Sequence, residues 1–341
     1  MAELIKDLCT LNGVSGNENA VRKYILGAIA DKAEEISVDT IGNVIALKKG
    51  KKSGIKVMIA SNIDEIGFIV SEITEKGYLK VEAVGRFDDR NIISKKVIVG
   101  DGVKGIIGMK AIHLQEKSER ENTVSVSDLF IDIGAKSDKK AKDRVSLGDY
   151  AAFESPFIET ENRICAKALD RIGSACLIEA MDEPCEYDTY FVFSTQREVS
   201  ARGAKIAAHR IQPDIVLTVG TVESADMYGV QSDRVCAALG GGAVINSADQ
   251  TSVKNAAVTE FIRKTAKEHG VKIQEYHGFS GTPLSGAVQS YEPTAVGEID
   301  IPCRYSHTPV CMMDKRDIYA AAEAVRLFIR EIGGAANGII K

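Results

Sequence analysis

An alternation of strands and helices, interrupted once, constrains the fold of this chain more than any other feature. Strand-length apolar runs alternate with amphipathic helices before residue 69 and again after residue 160. Strands that alternate with helices form mainly parallel sheets covered on both faces, so we predict an α/β fold with a mainly parallel sheet for residues 1–68 and 161–341. The predicted strands lie at 43–47, 55–60, 190–194, 214–219 and 294–299, and the predicted helices begin after Ser15 and span 171–181, 251–269 and 317–332.

Local signals set the ends of three of these helices. Ser15 and Glu18 have the spacing of a capping box, in which two side chains bond to backbone N–H groups at the start of a helix. Gly270 and Gly333 follow helical apolar repeats, and glycine commonly ends a helix because it adopts positive φ without strain. We therefore expect the first of these helices to begin at this box and the last to end at Gly333.

Residues 69–160 have a different pattern, in which short β-like runs are separated by glycines. Many short strands joined by glycine turns predict a small barrel or sandwich. The chain of 341 residues is also longer than one compact core usually is, which favours two domains. We predict a small β-rich, barrel-like domain inserted at 69–160.

Charge and cysteine usage exclude several classes of partner. The formal net charge is −5, and no Lys/Arg cluster is large enough to attract a nucleic-acid backbone. No apolar stretch reaches the roughly 18–20 residues of a membrane span, and the start of the chain lacks a signal-peptide core. The seven cysteines show no C-x-x-C spacing, which favours free thiols in a reducing compartment. We expect a cytoplasmic protein that binds neither nucleic acid nor membranes.

Polar residues follow the predicted strands, where open α/β sheets place their ligands. Two carboxylates and a histidine that converge from separate strands or helix starts could hold a borderline metal ion such as zinc. Each residue also has a structural interpretation: Asp170 as an N-cap, Glu198 as a surface ion-pair partner, and His307 as a hydrogen-bonded residue. The residues in question are Asn62, Asp64, Asp170, Arg197, Glu198, Gly220 and His307.

At these residues, and in motifs spread over nearly the whole length, the chain resembles the tetrahedral, or glutamyl (deblocking), aminopeptidases of metallopeptidase family 42. The resemblance implies an α/β catalytic domain interrupted by a small β-rich assembly domain. It also implies self-association, from dimers up to dodecameric tetrahedra. The motifs are Gly13-Val14-Ser15-Gly16-Asn17-Glu18, Asp64-Glu65-Ile66-Gly67-Phe68, Asp128-Leu129-Phe130-Ile131-Asp132, Lys167-Ala168-Leu169-Asp170-Arg171, Glu198-Val199-x-x-Arg202-Gly203-Ala204 and Arg304-Tyr305-x-His307-x-Pro309-Val310.

The residues expected to hold the second of the family's two metal ions are present. The resemblance implies that Asp170 matches the aspartate that bridges the metals, although the family usually has one further residue before Arg171. Glu198 and His307 match the other ligands of the second metal. Asp64 matches a supporting aspartate.

The residues expected at the first metal are replaced. The family's histidine ligand corresponds to Asn62, and its aspartate ligand corresponds to Gly220. Arg197 stands where the family has its general base, and a guanidinium keeps its proton to above pH ~12. The family's Gly-Thr-Asp-Ala-Gly stretch also differs here, because residues 281–286 read Gly-Thr-Pro-Leu-Ser-Gly.

These replacements leave three interpretations. Loss of a general base alone typically removes ~10²–10⁴ of the rate, so a family member with a degenerate active site, impaired or non-catalytic, is the leading hypothesis. Such a chain could be a peptide-binding or regulatory subunit that assembles with an active paralogue. The second hypothesis is a mononuclear hydrolase that uses Asp170, Glu198 and His307. The third is retained activity through residues misaligned around positions 170, 220 and 283. We expect at most one zinc, cobalt or manganese ion per chain, or none.

Arg197 has a specific expected position. Buried carboxylates that lose a metal ion repel each other, and a guanidinium could neutralise them. We therefore expect Arg197 to lie in or near the first-metal position and to pair with Asp64 or Asp170. The alternative is a surface arginine without function.

Overall fold

An eight-stranded mixed sheet forms the centre of the α/β domain. The structure is a computed structural model that describes residues 1–121, 124–231, 234–235, 237–278 and 284–340. In spatial order its strands are β1 (Glu35–Val38), β2 (Val44–Lys48), β12 (Tyr187–Ser194), β3 (Lys52–Asn62), β13 (Ile215–Glu223), β16 (Ala295–Cys303), β14 (Ala243–Ala248) and β15 (Ile273–His277). The four central strands, β12, β3, β13 and β16, run parallel. The predicted α/β class with a mainly parallel central sheet is confirmed.

Helices cover both faces of this sheet. One face packs against α1 (Ala2–Thr10), α2 (Asn19–Ala28), α5 (Ile172–Ala180), α7 (Ala256–Glu268) and α9 (Lys315–Ile339), and the other against α6 (Arg202–Ile211) and α8 (Leu284–Gln289). Neighbouring residues of the buried strands alternate between these layers: Leu217 faces the first and Val216 the second. Because both faces are covered, the central strands are continuously apolar for most of their length.

Several predicted element ends differ from the structure, and α9 and β13 differ for different reasons. Helix α9 continues past Gly333 to Ile339, because Gly333 serves close packing: a Cβ there would lie 2.4 Å from Glu186 Cγ. Strand β13 continues past Val219 to Glu223, so Gly220 lies inside the strand and not after it. Cys236 and residues 281–283 lie outside the described residues.

The β-rich insertion is a closed six-stranded barrel, which confirms the barrel-like domain predicted from its short strands and glycines. Three aromatic rings fill its core, with Phe68 at centroid distances of 5.2 Å from Phe87 and 5.3 Å from Phe153. The short helices α3 (Lys117–Glu121) and α4 (Asp138–Lys142) belong to the same segment. In barrel order the strands are β4 (Gly67–Ile73), β5 (Leu79–Val84), β8 (Phe130–Asp132), β7 (Val103–Gly108), β6 (Lys96–Val99) and β9 (Tyr150–Phe153).

A small antiparallel sheet completes the fold beside the ends of the central strands. It consists of β10 (Ile158–Glu159), β11 (Arg163–Ala166) and β17 (Cys311–Asp314). Strand β11 leads into the turn that carries Asp170, and β17 follows the loop that carries His307. Within the described residues, no helix is long and apolar enough to cross a bilayer.

Candidate functional site

The guanidinium of Arg197 lies among buried carboxylates at the ends of the parallel strands. Arg197 is 6% exposed, and its Nη1 lies 2.6 Å from Asp170 Oδ2. The same Nη1 donates to Glu198 Oε1. Burial alone would lower the pKa of Arg197, but Asp170 and Glu198 outweigh it and raise the pKa. Arg197 is therefore a charged, buried partner of Asp170, one of the two pairings expected from the sequence.

Asp170 is a member of the site and not an N-cap. It lies in a single 3-10 turn, Leu169–Arg171, and the residue that caps α5 is Arg171. Its Oδ1 accepts a hydrogen bond of 2.6 Å from the hydroxyl of Thr221 on β13. Burial alone would raise the pKa of Asp170, but Arg197, His307 and Thr221 together hold it below the ordinary value. Asp170 is thus ionised beside the guanidinium.

Asp64 supports the turn that carries Glu198. The backbone N–H of Glu198 donates to Asp64 Oδ2 at 3.0 Å, and the Ser15 hydroxyl donates to the same oxygen. Burial raises the pKa of Asp64 above its ordinary value. Burial likewise raises the pKa of Glu198, with the nearby Asp170 adding to the effect and Arg197 opposing it.

The predicted capping box is wrong, and its two residues serve the site. Helix α2 begins after Glu18 without a side-chain cap, and Ser15 bonds to Asp64. Glu18 Oε1 accepts from the N–H of Gly16 at 2.7 Å and of Gln196 at 3.3 Å. Both side chains therefore hold the backbone on either side of the candidate site, a role that local spacing does not reveal.

His307 lies at the rim of the site. It is 41% exposed in its side chain, and its Nδ1 is 3.7 Å from Glu198 Oε2. That oxygen is the one that does not bond to Arg197. The structure therefore brings Asp170, Glu198 and His307 together, with Arg197 between the two carboxylates.

Asn62 and Gly220 add no ligand to this cluster. Asn62 is 1% exposed, and its amide donates to the backbone oxygen of Asp64 at 3.4 Å. Gly220 lies within β13, opposite Asp300 in the register of the parallel pair. Neither residue presents an imidazole or a carboxylate to this cluster.

The residues as placed do not fit a divalent cation. Arg197 occupies one oxygen of Asp170 and one of Glu198, and Thr221 donates to the other Asp170 oxygen. Two unit charges 4 Å apart interact by about 4 kcal/mol at an effective dielectric of ~20, and a dication beside a guanidinium would meet about twice that repulsion. In the part of the chain that the structure describes, no three His, Cys, Asp or Glu side chains are arranged to hold a metal ion.

Backbone strain concentrates around these residues. Eight non-glycine residues in the described chain have positive φ, and six of them lie within three positions of Asp170, Arg197, Glu198 or His307. Such conformations cost about 1–3 kcal/mol each and persist where the surrounding structure enforces them, commonly at functional sites. The six are Ala168, Gln196, Ser200, Ala201, Tyr305 and His307.

Arg171 ties the turn of Asp170 to three other segments. Its side chain is fully buried, and it donates to the backbone oxygens of Ile63 at 2.6 Å and Leu11 at 2.7 Å. It also donates to the Glu65 carboxylate at 3.1 Å. The fixed fork of the guanidinium makes such multiple contacts possible. Further acceptors are the backbone oxygens of Leu8 and Gly13.

The barrel contributes one wall of the site. Gly85, directly after β5, has a φ of +90°, and a Cβ added there would lie 3.1 Å from Glu198 Cβ. Only a residue without a side chain allows this approach at such a φ. The candidate site therefore lies where the barrel meets the strand ends of the large sheet.

Comparisons with known proteins agree with this fold. Residues 42–324 match the family described as M42 glutamyl aminopeptidase. A putative aminopeptidase of Acetivibrio thermocellus is 35% identical over 336 residues, which are 97% of this chain and 98% of that protein.

Two solved structures share the whole fold. An aminopeptidase from the archaeon Desulfurococcus kamchatkensis superposes with a TM-score of 0.94 at 32% identity, covering 99% of this chain and 96% of the other. A TET1 peptidase from Pyrococcus horikoshii, which can assemble into a tetrahedron or a large octahedral shell, superposes with a TM-score of 0.86 at 28% identity, covering 97% and 99%. This chain belongs to the M42 glutamyl aminopeptidase family.

Proposed function

We propose that this chain is a peptide-binding member of the M42 family that does not carry out the family's metal-dependent hydrolysis. The observation that supports this most directly is the contact of Arg197 Nη1 with Asp170 Oδ2, at 2.6 Å, together with its bond to Glu198. A guanidinium cannot take a proton from water, so the position of the general base is chemically inert.

The same contact supports the absence of a functional metal pair. Arg197 supplies one positive charge to Asp170 and Glu198, which two metal ions would otherwise neutralise. We therefore propose that zinc, cobalt or manganese binds at most once per chain, and that the protein as isolated carries none at this site. Asn62 and Gly220 support this proposal because they supply no ligand at the first-metal position.

The charge of the site favours a ligand with an ammonium group. Three carboxyls, Asp64, Asp170 and Glu198, face one guanidinium. Glu198 Oε2 is not bonded to Arg197 and faces the half-exposed His307. A peptide amino terminus would place its positive charge against this oxygen, and hydrogen bonds between charged groups are about twice as strong as neutral ones.

Self-association and location complete the proposal. The TET1 peptidase from Pyrococcus horikoshii can assemble into a tetrahedron or a large octahedral shell, and a further similar structure is a dodecamer. Because 97% of this chain superposes on these structures, we propose that it too forms dimers up to dodecamers, with the inserted β-rich segment at residues 69–160 as assembly domain. Assembly with an active paralogue would make it a regulatory subunit. The six described cysteines are free, which supports a cytoplasmic location.

Metal content, turnover and binding together test the proposal. We expect purified protein to contain less than one metal ion per chain and to release amino-terminal residues far more slowly than the ~1 s⁻¹ of ordinary enzymes. We also expect a fluorescent peptide with a free amino terminus to bind at least about tenfold more tightly than its acetylated form, since loss of one charge-assisted hydrogen bond costs about 1.5–3 kcal/mol.

Three results would overturn the proposal or a part of it. Two metal ions per chain with rapid turnover would restore the aminopeptidase. One metal ion per chain, with hydrolysis that a chelator abolishes, would establish the mononuclear hydrolase that uses Asp170, Glu198 and His307. Equal binding of the free and acetylated peptides would exclude recognition of the amino terminus.

A further inference from the structure

A second group of buried charged residues lies in the large sheet, apart from the cluster around Arg197. Glu298 and Asp300 are alternate residues of β16, so their side chains share one face of the sheet, and both are fully buried. This face is the one that α6 and α8 cover. Two carboxyls on a buried strand require compensation by hydrogen bonds or by charge.

One amide group brings the two carboxyls together. Asn246 Nδ2, on the neighbouring strand β14, lies 2.9 Å from Glu298 Oε1 and 3.4 Å from Asp300 Oδ2. Asn246 is itself fully buried. Two carboxyls that converge on one nitrogen at these distances are close enough to repel strongly when both are ionised.

Most other contacts in this network go to Glu298. Lys254 Nζ lies 3.1 Å from Glu298 Oε2 and also pairs with Asp249. The Ser285 hydroxyl, on α8, donates to Glu298 Oε2. Glu298 is thus a well-compensated carboxylate that ties the 249–254 loop and α8 to the sheet. Thr218 on β13 also faces Glu298 Oε2, at 3.4 Å.

Among the residues that the structure describes, Asp300 has fewer partners than Glu298. Its Oδ1 is buried without a hydrogen bond to any residue that the structure describes, and so is Oδ1 of Asn246. On β13 the residue opposite Asp300 is Gly220, which has no side chain to offer. Three carboxyls (Asp249, Glu298 and Asp300) therefore face one ammonium group in this network. An ionised Asp300 would be a buried charge with one weak hydrogen bond, which is costly.

We propose that Glu298 and Asp300 share one proton at neutral pH, forming a buried acid pair that fastens the 249–254 loop and α8 to the sheet. The proton resides on Asp300, which then donates to Glu298. The two oxygens without a partner, Oδ1 of Asp300 and Oδ1 of Asn246, then belong to uncharged groups, a neutral carboxyl and an amide. Loss of this proton places an additional negative charge among Asp249, Glu298 and Asp300, and it weakens the attachment of the loop and helix.

The direction of the resulting pH dependence follows from Asp300. Burial, then the charge and hydrogen bond of Glu298, raise the pKa of Asp300 well above its ordinary value, against the opposing effects of Lys254 and Asn246. The folded protein then keeps a proton that the unfolded chain has released. The free energy of unfolding therefore falls as pH rises from the ordinary aspartate pKa to the raised one. Over this range the unfolding equilibrium constant rises about tenfold per pH unit.

The variant Asp300→Asn tests the shared proton because an amide has the shape of a neutral carboxyl and cannot ionise. Infrared spectra in D₂O at neutral pH should show a protonated carboxyl band in the wild type that is absent from the variant. In chemical unfolding between pH 5 and pH 7, the unfolding equilibrium constant of the wild type should rise about tenfold per pH unit more steeply than that of the variant. The matched control is Asp182→Asn, an exposed carboxyl that pairs with Lys32, which should change neither measurement.

Two results would overturn the proposal. An identical carboxyl band in wild type and Asp300→Asn would show that Asp300 is ionised, as would an unchanged slope. If Asp300→Asn does not fold, Glu298→Gln provides the second test, because an amide at 298 carries no charge and removes the repulsion. The protonated band should then be lost at a lower pH than in the wild type, and loss at the same pH would contradict the acid pair.

Discussion

Replacing Arg197 by methionine is expected to lower the free energy of unfolding by about 3–5 kcal/mol at pH 7 in metal-free buffer, because removal of one partner leaves buried charges uncompensated. Methionine keeps the apolar stem and removes the guanidinium. Asp170 and Glu198 then lie close together with no cation between them. Chemical unfolding at a fixed protomer concentration measures the loss.

The same variant should gain a response to divalent cations. If Arg197 replaces the charge of a metal ion, its removal frees oxygens of Asp170 and Glu198 that a cation can bind. A ligand that binds only the folded state stabilises it by about 2.7 kcal/mol at 100 times its Kd. Zinc or manganese should therefore raise the stability of Arg197→Met and leave the wild type nearly unchanged.

A nearby arginine provides the control for both effects. Arg202 is the first residue of α6, is exposed, and lies only five positions from Arg197. Arg202→Met should change stability by less than about 0.5 kcal/mol, as most surface substitutions do, and should not respond to metal. An Arg197→Met variant as stable as the wild type, or one with the same metal response as Arg202→Met, would contradict the assignment of Arg197 as a substitute cation.

The sequence predicted the fold because the alternation of strands and helices depends on local periodicity. Parallel strands end at a common edge, so residues after β3 and β12 were expected to meet there. The structure does bring Arg197 to Asp170. The barrel was also predicted, since its short strands and glycine turns are local features.

The supporting residues of the site were not predictable from local patterns. Ser15 has the spacing of a cap, yet its hydroxyl bonds to Asp64, 49 positions away. Thr221 lies inside a strand, where a hydroxyl gives no signal, and only the tertiary fold brings it to Asp170. In both cases a long-range contact takes precedence over the local preference of the residue.

The partners of Glu298 and Asp300 on β16 were likewise not predictable from local patterns. A strand buried on both faces is expected to be apolar, and Glu298 and Asp300 depart from that expectation. Their partners come from β14, from the 249–254 loop and from α8, which are separate in sequence. The sequence shows the two carboxyls, but only the structure shows that one asparagine contacts both of them and that the lysine pairs with Glu298.

Replacing Arg171 by methionine is expected to lower the free energy of unfolding by at least about 3–5 kcal/mol, the usual cost of removing one member of a buried ion pair. Arg171 is fully buried and donates to Glu65 and to four backbone oxygens, including those of Leu11 and Gly13. Each buried acceptor left without a donor adds about 1–3 kcal/mol unless water enters.

Two further variants separate charge from hydrogen bonding at Arg171. Arg171→Lys keeps the charge but cannot reproduce five contacts from a planar fork, so it should still lose more than about 2 kcal/mol. Arg326→Met, in which a half-exposed arginine loses its contact with Glu183, should lose less than about 1 kcal/mol. Unfolding in urea at one protomer concentration compares all three. If Arg171→Lys is as stable as the wild type, the charge alone holds these segments together, and the hydrogen-bond network is not what positions Asp170.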